Sequence, residues 1–255
     1  MPNILDRYGI KEVADVTFYE IDDSTGVELP GAPVLYLDTL KVSTIEQTAE
    51  NSEARGGKGN AALISWDYGK EISVTLEDAL YSAKSLALMF GDVDEDGIPT
   101  PGEGETTKLK KTVHISAVKS INGKVVETEI NGKTVSVSDC KFYKDGAALT
   151  TDPTEIKDFD YATGDVTVTG AITIDVSANG FPGTYYITGD TYARSESTGK
   201  DEFFQFIIPK AKVLSESNTI TLEAEGDPTV FSMNLKVLRP KSGKMMQLVQ
   251  YNIGE

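Results

Sequence analysis

The chain has 255 residues, 39% hydrophobic and 25% charged, with one Cys and one His. That is long enough to bury a core without disulfides or metal, and too ordinary in composition for wholesale disorder. The lone Cys140 and lone His114 exclude an internal disulfide and multi-Cys or multi-His metal sites. Lys plus Arg number 24 against 40 Asp plus Glu, a formal net charge of -16. So acidic a chain is a poor nucleic-acid binder, because phosphate binding rests on cations that release counterions.

Taken in chain order, most of the sequence reads as strands. Residues 1–12 hold Ile4, Leu5, Tyr8 and Ile10 with no regular strand pattern around them, as a terminal arm would. The opening residues lack an apolar stretch behind a basic start, and no apolar run of about 18 residues follows. The expectation is therefore no secretory signal and no membrane span. Residues 13–21 and 34–42 are rich in β-branched and aromatic types, with turn-forming residues at 22–26 and at Pro30-Gly31-Ala32-Pro33. Residues 44–60, TIEQTAENSEARGGKGN, contain almost no large apolar residue and predict either a disordered flap or an arm that packs elsewhere. Residues 61–66 and 71–76 read as strands around a turn at 67–70. Ile72, Val74 and Leu76 alternate with Ser73 and Thr75.

One helix is predicted over about 77–90. Ala79, Ala83, Leu86 and Phe90 fall at helical spacing, Thr75 and Asp78 can form a capping box, and Gly91 is a stop. Strands resume over 108–118, 124–130 and 133–138, joined by Asn122-Gly123 and Asn131-Gly132, strong two-residue hairpin signals. Short strands follow at 166–169 and 172–176. The last series is predicted at 184–194, 202–214, 218–225, 230–238 and 245–253, with turns at 197–200, 225–228 and 241–244. Strands at this spacing indicate a mainly β sandwich or barrel with one flanking helix and a long extended loop.

Candidate chemistry is sparse. Asp92-Val93-Asp94-Glu95-Asp96-Gly97 followed by Glu103 satisfies the calcium-loop spacing D-x-D-x-D-G-x5-E, so Asp92, Asp94, Asp96 and Glu103 are candidate ligands for a structural calcium ion. Pro99, Pro101, Gly102 and Gly104 stand where the exit helix should begin, and the competing reading is a solvated acidic turn. His114 sits in a strand pattern. Cys140 beside Lys141 has no sign of activation beyond that neighbour. Gly56-Gly57-Lys58-Gly59 lacks the spacing of a phosphate loop, and no Ser lies in a nucleophile elbow. Trp66 and the aromatics at 203–206 read as core. No enzyme is indicated and no cofactor is required.

Several long segments nevertheless resemble the major tail-tube proteins of long-tailed bacteriophages. They are FPGTYYITGDTYARS (181–195), ESTGKDEFFQFIIPKAKV (196–213), ITLEAEGDPTVFSMNLKVLR (220–239) and, upstream, EARGGKGNAALISWDYGKEISVTLEDAL (53–80). The resemblance divides the chain into an N-terminal half of a tube sandwich (1–103), a variable β-rich insert (104–180) and a C-terminal half (181–255). It implies a virion protein, assembled in the host cytoplasm. Six copies would form a ring, and rings would stack into a tube through which DNA passes unbound. Tape-measure and terminator proteins would be further partners. It also implies that the 44–60 loop, through Glu50, Arg55, Gly56, Gly57, Lys58 and Gly59, packs on a neighbouring ring. The alternative reading is a calcium-stabilised β-sandwich binding module, a virion adhesin or carbohydrate binder.

Overall fold

The computed structural model describes residues 7–114, 118–121, 124–130, 133–136, 140–150, 160–216, 218–220 and 229–251. The chain forms two compact units, one from residues 1–101 with 174–255 and one from residues 102–173. The larger unit contains β1 (Tyr8–Ile10), β2 (Asp15–Asp22), β3 (Leu29–Leu37), β4 (Leu40–Gly56), β5 (Ala61–Asp78) and α1 (Ala83–Phe90). The smaller contains β6 (Gly102–His114), β7 (Val118–Ile121), β8 (Lys124–Ile130), β9 (Lys133–Ser136), β10 (Cys140–Lys144), β11 (Ala147–Ala148) and β12 (Tyr161–Thr173). Back in the larger unit follow β13 (Thr184–Ser195), β14 (Asp201–Val213), β15 (Phe231–Val237) and β16 (Gln247–Tyr251). The fold is mainly β, with a large antiparallel sheet and a single helix among the described residues.

The large sheet runs β3-β2-β13-β14-β15-β5-β4, with β1 alongside the far end of β13 and β16 alongside the far end of β14. Its inner face follows from period-two alternation. Val16 and Phe18, Ile187, Ile208, Leu235, and Val74 with Leu76 are all buried, each on a different strand from its neighbours in the sheet. Leu88 and Met89 of α1 join the same core. At Gly189 an added Cβ would lie 2.1 Å from the Phe206 ring, so the cross-strand aromatic needs a residue with no side chain opposite it. Tyr185 is buried edge-on to Phe18, and its hydroxyl donates to the Gly97 carbonyl while accepting from the Gly183 amide. Burial pushes this phenol up to about 12. The pair of bonds ties the 92–100 loop to β13.

Two boundaries differ from the sequence reading. The apolar run at 34–42 is two strands, because the chain breaks at Asp38-Thr39. There the Thr39 hydroxyl donates to the Asp78 carboxylate and the Thr39 carbonyl accepts from the Ala79 amide. The predicted helix is also shorter. β5 continues to Asp78, which is buried in the sheet, and α1 begins only after Ser82. Ser82 and Ser85 form the capping box, and Gly91 ends the helix in the left-handed region. Pro30-Gly31-Ala32-Pro33, expected as a turn, lies within edge strand β3, where a missing amide donor is tolerated. Residues 8–10 of the N-terminal arm are a short strand paired with Ser195–Ala193 of β13, rather than unstructured.

In the smaller unit, β11-β10-β12-β6 form one sheet and β7-β8-β9 another. Ile121 pairs with Lys124 and Ile130 with Lys133, as two-residue hairpins require. The Asn-Gly pairs themselves lie outside the described residues, as do most of the strand expected at 218–225 and its turn to Pro228. The two short strands expected between 166 and 176 merge into β12, with a register shift around Gly170.

Candidate assembly surface

The segment at 44–60, read as a disordered flap or an arm that packs elsewhere, is ordered: it is the outgoing strand and tip of a long hairpin. β4 pairs with β5 over their full lengths, from Leu40↔Asp78 at the root to Gly56↔Ala61 at the tip. The root belongs to the core through Leu40, Ile72, Val74 and Leu76. Between Ile45 and Ile72 no residue is buried. Both faces of the distal half are therefore wet, which explains the sequence reading: where nothing is buried, no apolar period is needed. Polar cross-strand contacts hold it instead. Asn51 donates through Nδ2 to the Ser65 hydroxyl and to the Asp67 carboxylate, the latter at 3.0 Å. Along β4 itself, Arg55 donates through Nε to Glu53 at 2.8 Å.

The residues at 67–70 do not turn the chain. Register passes from Thr48↔Glu71 to Glu50↔Tyr68, one residue against two, so this is a β-bulge. Gly69 supplies the positive φ of 62° it requires, and Glu50 stands opposite. The turn lies at the tip, where Gly57, Gly59 and Asn60 all have positive φ and the Asn60 amide donates to the Gly57 carbonyl.

Of the residues expected to act together, Glu50 sits at the bulge, while Arg55, Gly56, Gly57, Lys58 and Gly59 gather at the tip. The sequence reading missed the apolar members of the hairpin. Ile64, Trp66 and Tyr68 project from one face of β5, and all three remain more than half exposed. Trp66, read as core, is therefore a surface residue. Its position inside a polar segment, rather than its own type, was the available signal. Exposed apolar side chains aligned on a projecting element mark an interaction surface.

The acidic loop is held by its own hydrogen bonds. Asp94 Oδ1 accepts the amides of Asp96 at 3.0 Å and Ile98 at 2.8 Å, and Asp92 Oδ2 accepts the Asp175 amide at 3.0 Å. These carboxylates close a turn: the Asp94 carbonyl accepts from Gly97, and Val93 bridges to Pro99. Glu103 stands on β6 in the other compact unit, in register with Ile172. Among the described residues no group of three or more His, Cys, Asp or Glu is placed to hold a metal ion. His114 ends β6 in register with Tyr161, and Cys140 begins β10 in register with Gly164; their side chains lie outside the described residues.

A second feature accompanies the hairpin. The face of the large sheet away from the core mixes polar and aromatic side chains, with Tyr19, Tyr186, Tyr192, Phe203 and Ile207 in register among the polar ones. Thr17 of β2, Asp190 of β13, Gln205 of β14, Asn234 of β15 and Thr75 of β5 lie on it. Gln205 donates to Asp190 and Thr75 to Asn234, both at 2.8 Å. The Lys236 ammonium meets Glu71 at 3.0 Å.

A comparison with curated proteins finds no match. A family model, that of the YomU/Tube protein family, matches residues 8–250. The match spans the hairpin, the whole sheet and the smaller unit, and the family name points to a phage tail-tube protein, in agreement with the resemblance carried by residues 53–80 and 181–239. The chain belongs to the YomU/Tube protein family.

Proposed function

We propose that this structural tail-tube protein closes six at a time into rings, and that the rings stack into the channel through which a phage genome is delivered. The observation that carries the reading is the two-faced sheet with a strand edge left open at each end. One face is the core and the other carries polar and aromatic side chains outside it, while β3 and β4 terminate the strand order among the described residues. Open edges invite pairing with another chain. Two different edges meeting head to tail form a heterologous contact, which closes into a ring when the rotation permits. Pro30 and Pro33 blunt part of the β3 edge, so residues 34–37 are the portion suited to pairing.

In such a ring the face away from the core lines the lumen. Its lysines are few: Lys212 and Lys236 are cross-strand partners and Lys236 is held by Glu71, so the hydroxyls, amides and carboxylates around them leave little cationic grip for a duplex carrying one negative charge per ~1.7 Å of axis. The chain's acid excess repels DNA over a Debye length of about 8–10 Å and lets it slide. The hairpin then makes the contact between rings, burying Ile64, Trp66 and Tyr68. A tube of this kind needs an initiating and a terminating partner, and a tape-measure protein fits its lumen. It belongs to the virion, is assembled in the host cytoplasm, and carries out no catalysis. Static light scattering across a concentration series tests the reading. Mass should rise steeply above a threshold concentration. A monomer at every concentration, with or without preformed tail initiator complexes, would overturn it.

A further inference from the structure

The tip of the hairpin and an acidic aromatic groove lie at opposite ends of the same strand pair. The groove, of about 190 Å³, is where β3 leaves the sheet and β5 gives way to α1. Tyr36, Leu80 and Tyr81 flank it and are 56%, 64% and 61% exposed. Asp38 is exposed at its rim, and Asp15 holds the Tyr36 hydroxyl at 3.3 Å. None of its described lining residues is basic. Burial, then the Asp15 charge, pushes the Tyr36 phenol up, with Asp38 and Asp190 adding to it.

The tip has the opposite character. Residues 54–63 carry Arg55 and Lys58 and no acid, in a chain of net charge -16. Arg55 is held by Glu53, whereas Lys58 has no carboxylate partner among the described residues. Leu63, across from Gly56 near the same tip, is 66% exposed, and Ile64 follows. A small apolar pair with a free cation beyond it matches an aromatic groove with a free carboxylate at its rim.

We propose that the hairpin tip of one copy docks in this groove of a second copy, Leu63 and Ile64 covering Leu80 and Tyr81 while Lys58 faces Asp38. The assignment rests on the tail-tube reading and specifies where on the neighbouring subunit the hairpin lands. Length supports it. From Leu40 to Gly56 there are sixteen strand steps, roughly 50 Å at about 3.3 Å each. Tip and groove of one chain therefore cannot meet. Joining the tip of one copy to the groove of the next advances each copy along the hairpin axis, and because the two surfaces differ, the contact repeats rather than ending at a dimer.

Cross-linking tests it directly. Cys140→Ser removes the native thiol, and Lys58→Cys with Asp38→Cys places one thiol at each end. Assembled protein treated with a short bis-maleimide should give a denatured ladder at whole multiples of the subunit mass, because intramolecular bridging is ruled out by length. Each single-Cys variant should give no species beyond a dimer. Charge reversal provides a second readout: Lys58→Glu or Asp38→Lys should raise the threshold concentration at least about tenfold, and combining them should restore most of it. Tubes that form normally but yield no ladder, with no recovery in the double reversal, would overturn this contact and leave the tail-tube reading standing. A wild-type chain that never assembles would remove both.

Discussion

Removing the distal hairpin should separate folding from assembly. The perturbation is replacement of residues 49–70 by Asn-Gly, joining Thr48 directly to Glu71, which already face each other in register. Nothing between Ile45 and Ile72 is buried, so the core loses no apolar area. Seven cross-strand pairs disappear, and as exposed pairs they sit near the low end of about 0.2–1 kcal/mol each, some 2 kcal/mol in all. Against this, shortening a 22-residue excursion to two residues recovers about 2 kcal/mol of closure entropy. The two nearly cancel, and at about 2–4 °C per kcal/mol the melting temperature should move by less than about 5 °C. Assembly behaves otherwise. Leu63, Ile64, Trp66 and Tyr68 are each more than half exposed, and completing their burial is worth about 1 kcal/mol apiece, some 4 kcal/mol in all. That is a factor of about a thousand in each association step. Circular dichroism melting and light scattering on the same samples measure both quantities. A variant that melts more than about 10 °C lower would show that the hairpin supports the core. A variant that builds tubes at the wild-type threshold would show that it contributes nothing to stacking.

Three further outcomes follow from the larger unit. Tyr185→Phe leaves the Gly97 carbonyl and Gly183 amide without their hydroxyl partner, so it should cost about 1–3 kcal/mol and lower the melting temperature without altering the threshold concentration of the protein that remains folded. In the wild type the same phenol, raised to about 12, contributes stability that is complete below about pH 10 and lost as pH rises toward 12; alkaline melts of the Phe variant should lack that component. At the other end of the scale, the Lys241 side chain and backbone amide hold Asp23 and Glu28 below the usual carboxylate range, and Arg194 does the same for Asp201. Lowered carboxylates stabilise above their unfolded values and cease to do so as pH falls through the folded ones, so melting temperature should decline below about pH 4. Calcium at millimolar concentration and chelator should give the same melting curve, because among the described residues no three carboxylates stand together to hold an ion; a rise of several degrees with calcium, abolished by Asp94→Ala, would contradict that.

How far the sequence could be read depended on how much each segment buries. β13, β14 and β15 were visible because one side chain in two, such as Ile187, Ile208 and Leu235, enters the core. The distal hairpin buries none, so the periodic signal vanished although the strands did not. A glycine with positive φ serves a bulge as well as a turn, and Gly69 alone cannot say which; the partner strand decides. The helix was overextended because Ala79 and Leu80 continue its spacing backward. Asp78, held by Thr39 from the break between β3 and β4, keeps those residues out of it. The assembly surface was half legible. Its glycines and charges stood out as a segment with no core role, whereas Trp66 reads as core and Tyr68 as a turn residue, because only the partner strand shows that β5 runs on past the sheet body.

The most direct measurement is negative-stain electron microscopy of the purified protein above its assembly threshold, with rotational averaging of end-on views. The account predicts hollow tubes of constant diameter with sixfold end views, and isolated rings or monomers when the distal hairpin is removed. Wild-type particles that stay globular at every concentration, or filaments without a central channel, would contradict it.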